Sequence, residues 1–292
     1  IYQKSGSTWV RHWQAAEQHR HKHLNAATTV GDAIWFVGDA GLIVRCAEDK
    51  CAQHNGGTAA PLYAVAGTSD TAVYAGGSQN AFIKWNGTAW APEKLVTTAT
   101  VNTLTAVDGT IWGGTGGGPD EEPSLFKLGA HGFEKVKLEA AGVLALRGIT
   151  EVGSGGGPVT VAATVSLSDG KPPQPAIFTQ LSEAEAKEQN RAWELTTGEP
   201  GTIIRSLGSV GGTIYAAGDG KNLLTRRGSA LVAQNSVPHK PWYHQLLWII
   251  GVLVGGLTAF YMFRLYFLTF EGETRCDTET WGHAHESPPS MT

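Results

Sequence analysis

Between about Thr28 and Asn235 the apolar residues come in short alternating runs broken by Gly, Ser, Asn and Asp, whereas from Leu246 to Phe270 they run together almost without a break. The first pattern predicts strands and the second a helix. The clearest stretch of strands reads LYAVAGTS from Leu62, AVYAGGS from Ala72, AFIKWNG from Ala81 and AWAPEKL from Ala89. Its second run returns as AIWFVGDAG from Ala33, TIWGGTGGG from Thr110, VTVAATVS from Val159 and TIYAAGDG from Thr213. The third and fourth runs return beside each of these, so the sequence repeats at a period of about 40 residues, stretched where loops are inserted.

Four strands per unit at this period predict an all-β fold: a β-propeller of about six four-stranded blades, one of them incomplete, followed by a single transmembrane α-helix. Each blade can bury its faces only against its neighbours. Five units are complete, and the opening IYQKSGSTWVRHW matches the third and fourth runs of a unit, half a blade. The Gly- and Ala-rich runs, such as Val73 to Gly77, are expected nearest the axis, where side chains crowd. A β-sandwich or an open β-solenoid is the competing arrangement. In the fourth unit SEAEAKEQNRAWE from Ser182 opens with Ser182 and Glu185 at capping-box spacing and predicts one short surface helix. The units resemble the Gly-rich blades of bacterial extracytoplasmic propeller proteins, which carry Asp-x-x-(apolar)-Trp/Tyr-x-x-Gly, here Asp70 to Gly77. That resemblance implies a fold and names no function.

The run from Leu246 to Phe270 is uncharged until Arg264 and, at about 1.5 Å per residue, is long enough to cross a hydrocarbon core of about 30 Å. The expected organisation is a propeller over 1–236, an interfacial linker over 237–245, a transmembrane helix over 246–270 and a polar loop or tail over 271–292. Trp242 and Tyr243 suit the membrane interface. Gly251 and Gly255 form a GxxxG, joined by Gly256, and predict packing against other helices. Arg264 marks a functional or packing contact, or else snorkels to the surface.

Composition narrows the partners. The 38 glycines and a charged fraction of only 16% agree with many turns, and a net charge of -4 offers no field for nucleic acid. The sequence opens at Ile1 without Met, basic n-region or early apolar run, and so reads as a piece of a longer protein. Three cysteines are present; Cys46 and Cys51 flank a hairpin at a spacing that suits a disulfide in an oxidising compartment, against the alternative of two reduced thiols. His19, His21 and His23 alternate as weak metal-ligand candidates, but Arg20 and Lys22 between them would repel a cation. No catalytic constellation, phosphate loop, dinucleotide fingerprint or iron-sulfur motif is legible, so neither catalytic residues nor a cofactor are expected in this stretch.

GLTAFYMFRLYFLTFEGE from Gly256, followed by the tail from His283 to Thr292 with its HESP, resembles the late membrane segment of NADH-quinone oxidoreductase subunit L, the antiporter-like subunit of respiratory complex I. The resemblance implies a fragment of a proton-translocating membrane subunit with the propeller inserted ahead of this helix as a scaffold or docking module. It implies a bacterial inner membrane, a periplasmic propeller, a cytoplasmic tail, and as partners lipid, the other helices of the subunit and the other subunits of the complex. Arg264, His283 and His285 become candidates for a proton path. The alternative is a membrane-anchored extracytoplasmic propeller that binds a ligand or protein and has no respiratory role.

Overall fold

In the computed structural model of the protein, residues 1–234 are described except for 6–7, 12, 15–21, 49, 119–120, 141, 153–156, 167–171, 200–201, 220–222 and 228–229. The chain divides into two compact units, Ile1–Val237 and Pro238–Thr292. The second unit lies outside the described residues. With it go the expected transmembrane helix and its Gly251, Gly255, Gly256 and Arg264, and the tail histidines His283 and His285. Among the described residues no helix is long and apolar enough to cross a membrane.

Each repeat folds locally into an antiparallel meander, because its alternating runs are separated by residues that tolerate tight turns. The first sheet is β3 (Leu24–Val30), β4 (Ala33–Gly38), β5 (Leu42–Ala47) and β6 (Lys50–Asn55). The second is β7 (Leu62–Ser69), β8 (Ala72–Gly77), β9 (Phe82–Trp85) and β10 (Trp90–Pro92). The third is β11 (Val101–Val107), β12 (Thr110–Thr115), β13 (Leu125–Gly129) and β14 (Gly132–Val136). The fourth holds β15 (Val143–Glu151), β16 (Val159–Val165), β17 (Gln174–Gln180) and β18 (Trp193–Thr197), and the fifth β19 (Ile204–Val210), β20 (Thr213–Gly218), β21 (Leu223–Arg227) and β22 (Ala230–Gln234). A single parallel pair, Thr197 with Ala230, joins the outer strands of these last two sheets. Ahead of them, β1 (Tyr2–Ser5) and β2 (Thr8–Arg11) pair as a hairpin. Helix α1 (Glu183–Gln189) is inserted between β17 and β18, with Ser182 and Glu185 forming the reciprocal capping box.

The first strands of the five sheets, β3, β7, β11, β15 and β19, pack side by side in sequence order, which makes a propeller-like row of blades. The innermost strand is therefore the first of each sheet. This corrects the expectation that the Gly- and Ala-rich second strands lie nearest the axis. Their small residues serve contact between blades instead: a Cβ on Gly76 would stand 2.7 Å from the Val101 side chain of the next blade, and one on Gly114 2.7 Å from that of Leu146. The turn from β11 to β12 is made by Asp108 and Gly109, both with positive φ (45° and 71°), the backbone that a two-residue hairpin turn of type I′ demands.

Two features recur in all five sheets. The amide after the second strand donates to the carbonyl just before the first: Asp39 to His23 at 3.0 Å, Ser78 to Pro61 at 3.1 Å, Gly116 to Thr100 at 3.2 Å, Ser166 to Gly142 at 2.7 Å and Asp219 to Ile203 at 2.9 Å. Each first strand also slips register one residue after its start, between Leu24 and Ala26, Leu62 and Ala64, Val101 and Thr103, Val143 and Ala145, and Ile204 and Ser206. A bulge of this kind leaves one residue out of the ladder and re-aims its side chain.

Between the sheets the core is layered. Trp35, Trp85 and Trp90 fill the seam of the first and second, while Tyr74, Phe82, Phe126 and Phe133 fill that of the second and third. The fourth sheet has unlike faces. Val159, Val161, Ala163, Phe178 and Trp193 face the apolar core of the third sheet, whereas Ala162 and Ile177 belong to the core shared with the fifth. Period-two alternation places Thr160, Thr164, Thr179 and Thr196 on that second face.

Candidate functional site

Because the first strands lie in register, the five bulges gather at one end of the row. The bulged residues are Asn25, Tyr63, Asn102, Leu144 and Arg205. Asn102 is half-buried and the other four are exposed. Two of them tie neighbouring blades together. The Asn25 side-chain amide donates to the Leu62 carbonyl of the second sheet at 3.0 Å and to Asp39 Oδ1 at 3.1 Å, and Asn102 Nδ2 donates to the Leu146 carbonyl of the fourth at 3.2 Å and to the Gly116 carbonyl. Arg205 instead makes a bidentate pair with Asp219, Nε to Oδ1 at 2.7 Å and Nη2 to Oδ2 at 3.1 Å. Hydrogen bonding and charge from the partner lower the Asp219 pKa and raise that of Arg205. Asp39 and Asp219 occupy the same place in their blades, one residue past the second strand.

Strand β15 carries a second register slip, between Leu146 and Gly148, and the residue it frees is Arg147. Its guanidinium lies against the glycine loop after β12, where a Cβ on Gly117 would stand 3.0 Å from Nη2. Burial and then the Arg205 charge lower the Arg147 pKa, and the charge of Glu121 acts the other way. Glu121 itself is committed elsewhere. Its Oε1 accepts from the Thr100 hydroxyl at 2.5 Å and the Thr100 amide at 3.1 Å, and its Oε2 from the Gly118 amide at 3.1 Å. Burial alone would raise the Glu121 pKa, but these bonds and the Arg147 charge together hold it below the ordinary carboxylate value.

Of the described residues singled out from sequence, Cys46 and Cys51 lie away from this end, and His23 meets it through its backbone. Cys46 and Cys51 face each other as a cross-strand pair of β5 and β6 and are joined by a disulfide, with Cα atoms 4.0 Å apart. His23 contributes its backbone, its amide donating to Asp39 Oδ2 at 3.0 Å, while His19 and His21 lie outside the described residues. Among the described residues no three His, Cys, Asp or Glu side chains are grouped to hold a metal ion. His54 packs between Trp35 and Trp85 with ring centroids at 5.3 and 5.1 Å. Burial, and then the Arg45 charge, lower its pKa. Beside it lies a shallow cavity of about 330 Å³ lined by Lys22, Gln53, Asn55 and Thr58 among others.

The bulge residues went unnoticed in the sequence although a signal exists. Each first run opens with apolar, variable, small: LNA from Leu24, LYA from Leu62, VNT from Val101, VLA from Val143 and IRS from Ile204. The variable middle residue is the one that reaches the axis end.

No family model matches the protein. Over 32 residues it is 72% identical to NAD(P)H-quinone oxidoreductase subunit 5 of the organellar chromatophore of Paulinella chromatophora, a stretch of 11% of this chain and 5% of that protein. Over 40 residues it is 55% identical to NADH-quinone oxidoreductase subunit L of Rhodobacter capsulatus, 14% of this chain and 6% of that protein. Among solved structures it is similar to the extracellular domain of the putative one component system BT4673 from B. thetaiotaomicron, with a TM-score of 0.55 and 14% identity over 81% of this chain and 30% of that one. The protein thus has a short similarity to subunit 5 or L of the quinone oxidoreductases, of whose length it spans about a twentieth, and a fold of repeated four-stranded sheets like that of an extracellular domain.

Proposed function

We propose that the protein is part of a proton-translocating NADH-quinone oxidoreductase membrane subunit, in which the blades form an extracytoplasmic docking module carried by a membrane segment. The observation that carries this reading is the short, high identity to two such subunits, 72% and 55%, in a molecule whose larger unit is a row of blades. The similarity of that row to an extracellular domain and the Cys46–Cys51 disulfide both suit the oxidising side of a membrane. The blades supply no redox centre in this reading; they present the axis-end residues Asn25, Tyr63, Asn102, Leu144, Arg147 and Arg205 to a partner. In this reading the run from Leu246 to Phe270 is the membrane segment.

Affinity purification of the tagged parent protein from detergent-solubilised membranes tests it. Recovery together with other subunits of an NADH-quinone oxidoreductase is expected. Recovery from the membrane as a lone species overturns the respiratory reading. The second reading, a membrane-anchored binding module with no respiratory role, is the one that result would favour, and the disulfide and the extracellular fold relative fit it equally well.

A further inference from the structure

We infer that the first and fifth sheets, at the two ends of the row, take up between them an uncharged β-hairpin of the parent polypeptide, which fills the first two places of a blade and pairs with the free edge of β1. Burial along the strands is the first support. The second strands β8, β12 and β16 are buried on both faces, apart from Ala72 and Thr110 where β8 and β12 begin. Those of the end sheets, β4 and β20, alternate over most of their length. A strand covered on both sides loses alternation, whereas one covered on a single side keeps it.

The bare side is the one turned away from the row. On the first sheet Ala27, Thr29 and Ile34 are exposed, Ile34 at 42%, and Phe36 is half-buried. The ladder sets them opposite to the residues that pack on the second sheet. On the fifth sheet Ser206, Val210 and Ala217 are exposed, Val210 at 72%, and Tyr215 is half-buried, again opposite to the packed face. One strand further out, Val44 beside Phe36 and Thr225 beside Tyr215 are buried. The inner bare strip is therefore two strands wide on both sheets. Among the described residues β3 and β19 do not pack together as neighbouring first strands do.

The second support is the hairpin β1–β2. Tyr2–Ser5 aligns with the third strand Phe82–Trp85 of the second sheet, with Lys4 in the place of Lys84 and Thr8 in that of Thr88. The pair nevertheless forms a sheet of its own, in which β1 has no neighbour on its other edge among the described residues. A free edge presents N–H and C=O groups that a further strand satisfies.

The surfaces set the chemistry of the occupant. The outward residues named on β3, β4, β19 and β20 include no charged side chain, so the hairpin must be uncharged and apolar on both faces, as VTVAATV of β16 is. An apolar helix could cover the two faces but would leave the β1 edge unpaired. The source follows from the connections: only Asp39–Gly41 joins β4 to β5, and only residues 78–81 join β8 to β9. A second strand that leads into its third over so few residues belongs to the same polypeptide. The inference holds under both readings of the function.

The test is a fusion that places the sequence of residues 62–80, the first two strands of the second unit and the turn after them, directly ahead of Ile1 in the full-length protein held in detergent micelles. Its melting temperature is expected to exceed that of a fusion with the same residues shuffled by about 5 °C or more. Hydrogen exchange at the β1 amides is expected to slow in the same fusion. Ile34→Asp and Val210→Asp, at exposed positions, should move the unfused protein by no more than about 2 °C yet remove most of the rise from the fused one. No rise over the shuffled fusion, unchanged exchange at β1, or a rise that survives both Asp variants overturns the proposal.

Discussion

The seam between the first and second sheets and the seam between the fourth and fifth are built from the same repeat but sealed in opposite ways. In the first, Trp35 meets His54, Trp85 and Trp90 at centroid distances of 5.3, 5.4 and 5.4 Å, with the Arg45 guanidinium over its ring at 5.6 Å. In the last, Arg226 reaches from the fifth sheet to Thr179 at 2.7 Å and to Glu194, and the hydroxyls of Thr160, Thr164 and Thr196 are buried without an acceptor. Aromatic edge-to-face contact adds to area burial, whereas an orphaned buried hydroxyl subtracts from it. The aromatic seam is not free of orphans, since the indole N–H groups of Trp35 and Trp90 lack acceptors. The lesson is that a repeat need supply only complementary faces, and that stability is unevenly shared among blades that look alike along the sequence.

Trp35→Ala gives the largest expected effect: the side chain is 1% exposed and touches both sheets, so loss of about 3–5 kcal/mol is expected in chemical denaturation. A loss under about 1 kcal/mol would mean that the aromatic seam does not hold the first two sheets together. Replacing Cys46 and Cys51 together by Ser should cost about 2 kcal/mol, the chain-entropy value for so short a loop. That loss should be insensitive to changes in the last two sheets, because the disulfide closes β5 onto β6 alone.

At the polar seam Arg226→Met should cost about 1–2 kcal/mol by leaving Glu194 partly buried without its partner. Adding Glu194→Leu should recover most of that, since an apolar pair of similar volume needs no solvation. A double variant worse than the single would show that the ion pair itself holds the seam. Thr160→Val should stabilise by about 1 kcal/mol, as it swaps an orphaned hydroxyl for a methyl of the same shape.

How much of this was legible in the sequence depends on the range over which each cause acts. The strand runs and the capping box at Ser182 and Glu185 are local, and alternation or spacing reveals them. The innermost strand was misplaced because Gly76 and Gly114 are small for the sake of the next blade, a relation some thirty residues away in sequence. Arg147 was invisible for a related reason: a bulge is a register slip between two strands, and a one-strand reading cannot see it.

The smallest effect concerns pH. Burial and Arg45 lower the folded-state pKa of His54 below its unfolded value near 6.5. The fold therefore favours the neutral ring, so this contribution is present above about pH 6.5 and is lost as pH falls toward the folded pKa. Melting temperature should drop on acidification through that window, and His54→Gln should flatten the drop without changing the behaviour of the polar seam.

The central claim, that the blades are the docking module of a respiratory membrane complex, is tested most directly by cross-linking mass spectrometry on intact membranes that hold the parent protein. Lys22, Lys84, Lys94, Lys127 and Lys135 lie on the described blades and supply the reactive amines. Cross-links from these lysines to other subunits of an NADH-quinone oxidoreductase are predicted. Cross-links confined to the protein itself, or running to proteins outside such a complex, would contradict the account.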